Sequence, residues 1–398
     1  MRPLTCLARG WNCRTPSIVI GFSSWRASDE DWRRRLLATP DAAEQDKTSM
    51  LFLVSGMPSA YSRFGFMTVR AIAQAVHGGI DAMQFARLEK FYQAYKNRKK
   101  DGFVAFINPG DQRIPKLLQQ TQSKVVLFDD DLSHAVATVM ARQKKEFRSA
   151  MRVAIMASTN VAIFSRMTSA VVYPQPGPNA LLLPFIQSLA WFHGVEPDSE
   201  LVEKVRVFLD LGAITPRTTI REALRSYSSE FDDVDGILDG LDAQELEILQ
   251  TLRQSYPGCL NPESRVPMRW PARALFDPIH RDMPLETPIQ MLGKARMLAS
   301  GPAYHLPPGE WIAQVVIEVN GNFSQNKLSM QILEDKKVRG ELDLDLPAKG
   351  RLALTQAFVV EDPSKQISFA FEMKEGAIEG EFSVESLQLR NIRQIEAI

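Results

Sequence analysis

Between Met50 and Tyr173 the hydrophobic residues come in short unbroken runs, each followed by a turn and then by helical spacing. Met50 to Ser55 (MLFLVS) is the first such run. Without polar alternation it predicts a strand buried on both faces, as a parallel sheet requires. Gly56-Met57-Pro58-Ser59 reads as a turn, and Val69, Ile72, Ala73 and Val76 share one face of a helix over 66–76. Phe103 to Ile107 is a second strand, closed by Pro109-Gly110 and a short helix over 114–120. Lys124 to Phe128 is a third, ending in Asp129, Asp130 and Asp131 and followed by a helix over 134–148. Ser169 to Tyr173 is a fourth. This alternation predicts an α/β domain with a doubly wound parallel sheet. Ligands of such sheets sit at the carboxyl ends of strands, here 56–63, 108–111, 129–133 and 174–178.

The second half of the chain changes its period. Residues 180–195 carry Leu181, Phe185, Leu189 and Phe192 at helical spacing, and 198–256 read as helices with an acidic connector over 230–242. Residues 257–289 hold seven prolines and read as a linker. Beyond them the apolar positions alternate: Trp311, Ala313, Val315, Ile317 and Val319, then Leu328, Met330 and Ile332, then Ile367, Phe369, Phe371 and Met373. Phe382 and Val384 keep one parity and Leu387 and Leu389 the other, which predicts a bulge near Glu385. Asn320-Gly321, Lys349-Gly350, Asp362-Pro363 and Glu375-Gly376 separate these runs. The predicted second domain is an antiparallel β-sandwich over 290–398, after an α/β domain over 50–256.

Charge narrows the partners. The 398 residues hold 47 Lys+Arg against 47 Asp+Glu, so no net field draws the chain onto nucleic acid or an acidic membrane. No apolar run approaches the ~20 residues that cross a bilayer. Cys6, Cys13 and Cys259 are too few for a disulfide framework and suit a reducing, cytoplasmic setting. Residues 1–49 open with seven arginines before position 36 and few acids. They read as a disordered extension with Met50 opening the domain, the other reading being a targeting segment.

The order of elements over 50–256 resembles the sulfotransferase family, which uses the donor PAPS. Gly56-Met57-Pro58-Ser59-Ala60-Tyr61-Ser62-Arg63 stands where that family has a phosphosulfate loop of the type Gly-x-Pro-Arg/Lys-Ser-Gly-Thr/Ser-Thr. Val125 to Asp131, followed by His134 to Thr138, stands where an Arg and a Ser hold the 3′-phosphate. Val171-Val172-Tyr173 and Phe192-His193-Gly194-Val195 match its last strand and helix end. The resemblance implies that Gly56, Pro58, Ser59, Ser62, Arg63 and Thr138 face the donor. It also implies a transferase, with Asp111 and His134 as the available acid/base groups. The chain departs from the family at the cations: Ser59 replaces the basic residue, Tyr61 the glycine, and three aspartates the phosphate-binding Arg. A dianion needs free N–H groups and positive charge, so the PAPS site is expected to be degenerate or lost.

Asp129, Asp130 and Asp131 also suggest a divalent metal with oxygen ligands, which keeps a nucleotide-sugar glycosyltransferase open; a solvated loop or helix cap is the competing reading. The sandwich resembles galactose-binding-like carbohydrate modules through Ala299 to Trp311, with its Pro307-Pro308-Gly309 turn. That resemblance implies sugar contacts by Tyr304, His305 and Trp311, although Trp311 shares the core parity of Val315 and Ile317. Two functions follow. One is a divergent sulfotransferase-like enzyme acting on a glycan or polysaccharide. The other is a non-catalytic protein that binds glycans, or docks other proteins through the sandwich, in polysaccharide production or surface architecture.

Overall fold

The computed structural model describes residues 50–108, 110–227, 234–260, 267–278, 285 and 288–393. The expectations for residues 1–49, including Cys6 and Cys13, lie outside the described residues, as does the side chain of Cys259.

The α/β part is a five-stranded, all-parallel sheet in the order β2-β3-β1-β4-β5. Its strands are β1 (Leu51–Gly56), β2 (Ile80–Phe85), β3 (Gly102–Ile107), β4 (Val125–Phe128) and β5 (Ala170–Tyr173). The unbroken apolar runs are the central strands: β1 pairs with β3 on one side and β4 on the other. β2 escapes the sequence reading because it is the edge strand. Asp81 and Gln84 interrupt its apolar run, and Asp81 accepts the N–H groups of Lys99 and Lys100 at 2.6 and 3.0 Å.

Helix α1 (Ala60–His77) starts at Ser59, whose Oγ accepts the N–H of Ser62 at 3.2 Å, and stops at left-handed Gly78. It lies so close to β4 that a Cβ on Gly65 would fall 2.3–2.5 Å from the Phe128 ring. Gly65→Ala is therefore expected to destabilise the fold by about 1–3 kcal/mol in urea denaturation. An unchanged midpoint would mean that α1 can retreat from the sheet.

After α2 (Leu88–Lys96) and α3 (Arg113–Gln120), the segment read as one helix over 134–148 is two: α4 (Leu132–Gln143) and α5 (Phe147–Phe164). Left-handed Lys144 ends the first. Four more helices follow β5: α6 (Leu182–Phe192), α7 (Ser199–Phe208), α8 (Ile220–Tyr227) and α9 (Val234–Asp239), then the long α10 (Ala243–Leu260).

The sandwich is built of two antiparallel sheets. One has the order β11-β10-β13-β8 and the other β12-β9-β14-β6, with β7 also pairing β14. These strands are β6 (Met268–Trp270), β7 (Ile289–Gln290), β8 (Met297–His305), β9 (Gly309–Asn320), β10 (Lys327–Glu334), β11 (Lys337–Asp345), β12 (Gly350–Val360), β13 (Gln366–Met373) and β14 (Glu381–Arg393). The predicted bulge is present: the β9–β14 register shifts between Val384 and Ser386. One correction concerns the segment read as linker. Met268–Trp270 is a sheet strand, paired with Leu387–Leu389 of β14. Three residues give too few alternations to show a period, and the surrounding prolines hid them.

The sandwich and the α/β part share one hydrophobic core, in which α4, α5 and α10 pack with Trp270, Tyr304, Trp311 and the inner faces of both sheets. The His305 carbonyl ties the joint, accepting Thr159 Oγ1 of α5 at 3.3 Å and Tyr256 Oη of α10 at 2.6 Å. Arg152 Nε of α5 adds a bond to the Pro302 carbonyl at 3.3 Å.

Candidate functional site

A cleft of about 680 Å³ opens at the carboxyl ends of β1 and β3. Gly56, Pro58, Ser59, Ser62 and Arg63 line it from the β1–α1 turn, and Thr138 lines it from α4. All six residues assigned to the donor from sequence thus meet in one cavity. The sheet order explains this, since β4, which precedes α4, lies directly beside β1.

The turn is held rigidly. Met57 N–H donates to the Phe128 carbonyl at 3.0 Å, and Ser59 N–H donates to the Met57 carbonyl at 2.8 Å. Ser62 Oγ donates to the Phe128 carbonyl at 3.2 Å, and Ser59 Oγ to Ser62 Oγ at 3.4 Å. A Cβ on Gly56 would lie 2.6 Å from that same carbonyl, so the glycine is needed for the close approach of β1's end to β4. Below the turn, Ser55 Oγ donates to the Ile107 carbonyl at 2.9 Å and receives Asn160 Nδ2 at 3.2 Å. These donors are spent on the protein.

Positive charge enters the cleft from elsewhere. Arg142 and Lys145, at the end of α4 and in the turn after it, join Arg63 in the lining. Neither Arg63 nor Lys145 has a carboxylate partner among the described residues. Opposite them stand the amides of Gln84 and Asn108, joined by a 2.7 Å bond from Gln84 Nε2 to Asn108 Oδ1. Phe66, Met67, Phe106, Val153 and Met156 form an apolar wall. Arg142 and Lys145 were missed because a continuous helix over 134–148 would have carried them past the turn. The polar run Gln143 to Glu146 before Phe147 was the signal of a break.

The remaining sequence candidates lie outside this cleft. Asp111 clamps the starts of α2 and α3: it accepts Leu88 N–H and Arg113 N–H, both at 3.0 Å, and the Arg113 guanidinium at 2.7 Å. Burial alone would raise its pKa. The Arg113 guanidinium and the two backbone N–H groups outweigh this and hold it below the usual carboxylate range. It is a structural carboxylate with no proton to exchange near neutrality.

The metal reading fails on geometry. Asp131 caps α4 through Ser133 N–H at 2.8 Å and pairs with Arg253 Nε of α10 at 2.7 Å. Asp130 holds His134 Nδ1 at 2.9 Å. Asp129 has its pKa raised by burial and by neighbouring Asp130. The three carboxylates serve three different partners or surroundings, and among the described residues no group of three His, Cys, Asp or Glu is placed to hold a metal.

The sugar reading of the sandwich also fails at the named residues, because all three side chains are core. Trp311 donates from Nε1 to the Pro307 carbonyl at 3.2 Å, Tyr304 packs edge-on against Trp270, and His305 Nδ1 lies 3.0 Å from the Pro363 carbonyl. No ring face is left for a sugar.

Among the described residues no helix is long and apolar enough to cross a membrane. No family profile matches the chain, and no curated protein matches it. Among solved structures the chain is similar to a mouse sulfotransferase complexed with PAP, at 12% identity and a TM-score of 0.37, over 52% of this chain and 84% of that one.

Proposed function

We propose that the chain is a divergent, sulfotransferase-like protein that binds an anionic ligand in the β1–α1 cleft without transferring a sulfuryl group. The carrying observation is the composition of the lining. Three cations, three amides (Gln84, Asn108 and Gln143) and an apolar wall surround the cleft, and no carboxylate, imidazole or thiol side chain lines it among the described residues. Such a surface attracts a sulfate or phosphate ester but has no group to take a proton from an attacking hydroxyl. Ser59 at the basic position, with the N–H groups of Met57, Ser59, Ser62 and Arg63 bonded within the protein, argues against PAPS as the occupant. A sulfated or phosphorylated glycan fits better: Arg63 and Lys145 meet its charge, Gln84 and Asn108 its hydroxyls, and Phe66 or Phe106 its apolar face.

The test is calorimetric titration of the full chain with a sulfated oligosaccharide and, separately, with PAP. The sulfated sugar is expected to bind, and Arg63→Ala to weaken it by about 1.5–3 kcal/mol, roughly 10- to 150-fold. Tight PAP binding would restore the donor site and overturn this reading. So would sugar binding that Arg63→Ala leaves untouched.

A further inference from the structure

A second cavity, of about 420 Å³, lies at the carboxyl ends of β4 and β5, where Arg221, Leu224 and Arg225 of α8 line one side. Three groups with polar atoms to spare line it. The first is His134. Its Nδ1 lies 2.9 Å from Asp130, whose side chain is 2% exposed and also accepts Asp131 N–H at 2.8 Å. A buried carboxylate in that position fixes the proton on Nδ1 and leaves Nε2 for another partner. Gln175, 3.2 Å from Nδ1, stands on the same side of the ring as Asp130.

The second is Tyr61, which is 2% exposed and packs its ring edge-on against Phe128. Its hydroxyl has no hydrogen-bond partner among the described residues, and the residue lines the cavity. The third is Arg221, which has no carboxylate partner among the described residues. A phenol, a guanidinium and an imidazole whose Nε2 becomes a donor on protonation thus line one cavity. A plain helix-capping role for Asp130 and His134 would explain neither Tyr61 nor Arg221.

We propose that this cavity is a second binding site, for the oxyanion of a small ligand held by His134, Tyr61 and Arg221. Its chemistry differs from that of the first cleft in being coupled to a proton. Protonation of His134 adds one positive charge to a lining that already holds Arg221. The other charges near the imidazole change little. Asp131 is paired with Arg253, and Asp129 is buried with its pKa raised. Burial, then Asp130, Tyr173 and Asp129, push the Tyr61 pKa up, so Tyr61 stays a hydroxyl donor. The Asp130 bond raises the His134 pKa, against the opposing effect of burial. Binding must therefore strengthen as pH falls through the His134 titration, and by linkage the bound anion must raise that titration further.

Sulfate is the probe, because its charge does not change over the range in which histidine titrates, about pH 5–8. Titrating the full chain with sulfate, with acetate in a parallel arm, should show tighter sulfate binding at the acid end. His134→Gln should remove the pH dependence and weaken sulfate at least tenfold, and Arg221→Ala should weaken it at both ends. The titrations are run in parallel on the Arg63→Ala chain, which removes the first cleft's share of the sulfate binding and should leave the pH-dependent share intact, so failure of this site is distinguishable from failure of the other. Preferential acetate binding would mark a carboxylate ligand, and preferential sulfate binding a tetrahedral ester. Absence of binding at millimolar anion, or binding that the folded His134→Gln and Arg221→Ala variants retain in full, would overturn the proposal.

Discussion

Trp270→Ala is expected to cost about 3–5 kcal/mol of stability. Trp270 is 1% exposed and packs edge-on against Tyr304 and Phe369, with ring centroids 5.4 and 5.9 Å away. It belongs to the three-residue strand that closes one sandwich sheet against β14. The cavity left by the indole would open inside the core shared with α4, α5 and α10. Far-ultraviolet circular dichroism in urea should show a large drop in midpoint. Helix and sheet signals should still be lost together, because α4, α5 and α10 bury their residues in the same core as the sandwich. A loss under 1 kcal/mol, or a sandwich that melts while the helices persist, would refute the account of a common core.

Acidification is expected to destabilise the protein well before its paired carboxylates Asp111 and Asp131 titrate. His193 is buried against Phe52, with ring centroids 4.6 Å apart, and its Nε2 has no partner. Burial, with Lys124 nearby, pushes its pKa down to about 3. Above about pH 6.5 the imidazole is neutral in both the folded and unfolded chains, and stability is unaffected. Below that the unfolded chain takes up a proton that the folded one refuses. Stability then falls by up to about 1.4 kcal/mol per pH unit until the folded pKa is reached. His305, also depressed by burial, adds to the slope. His134 opposes it: its folded pKa is raised, so its contribution is present at low pH and lost as pH rises through that value. The depressed carboxylates Asp111 and Asp131 lose their contribution only near and below their unfolded pKa, about 3.9. The fall between about pH 6 and 4.5 is therefore driven by His193 and His305, and opposed by His134 and by Asp129, whose raised pKa lets the folded chain take up that proton before the unfolded one. His193→Leu, which keeps the apolar packing, should flatten the dependence of the urea midpoint in that window. An unchanged slope would remove His193 as its cause.

Period and punctuation made much of this molecule readable. Central strands such as Leu51–Gly56 and Val125–Phe128 are buried on both faces, so their apolar runs are unbroken. The edge strand Ile80–Phe85 and the short strand Met268–Trp270 were not legible. The first carries polar residues toward solvent, and the second is shorter than one clear alternation. In the cleft, residues close in sequence to the β1–α1 turn were found, whereas Lys145 depends on a helix break. Tyr304 and His305 looked like surface aromatics beside a Pro-Gly turn. Their burial comes from α5 and α10 closing over β8, a contact between segments about 50 to 150 residues apart that no local pattern encodes.

Helix α5 is a party wall. Val153, Met156 and Ala157 give one side of it to the cleft, while Arg152 and Thr159 fasten it to the sandwich. A wall owned by two rooms cannot be moved for one of them. Reshaping the cleft for a bulkier occupant through α5 would shift the groups that hold β8, and loosening β8 would tilt the cleft's floor. Changes of ligand preference are therefore expected to arise at Ser59, Ser62 and Arg63 and at Arg142 to Lys145, which border the cleft and lie outside the shared core. Grafting the sandwich onto another protein would have to carry α5 and α10 with it.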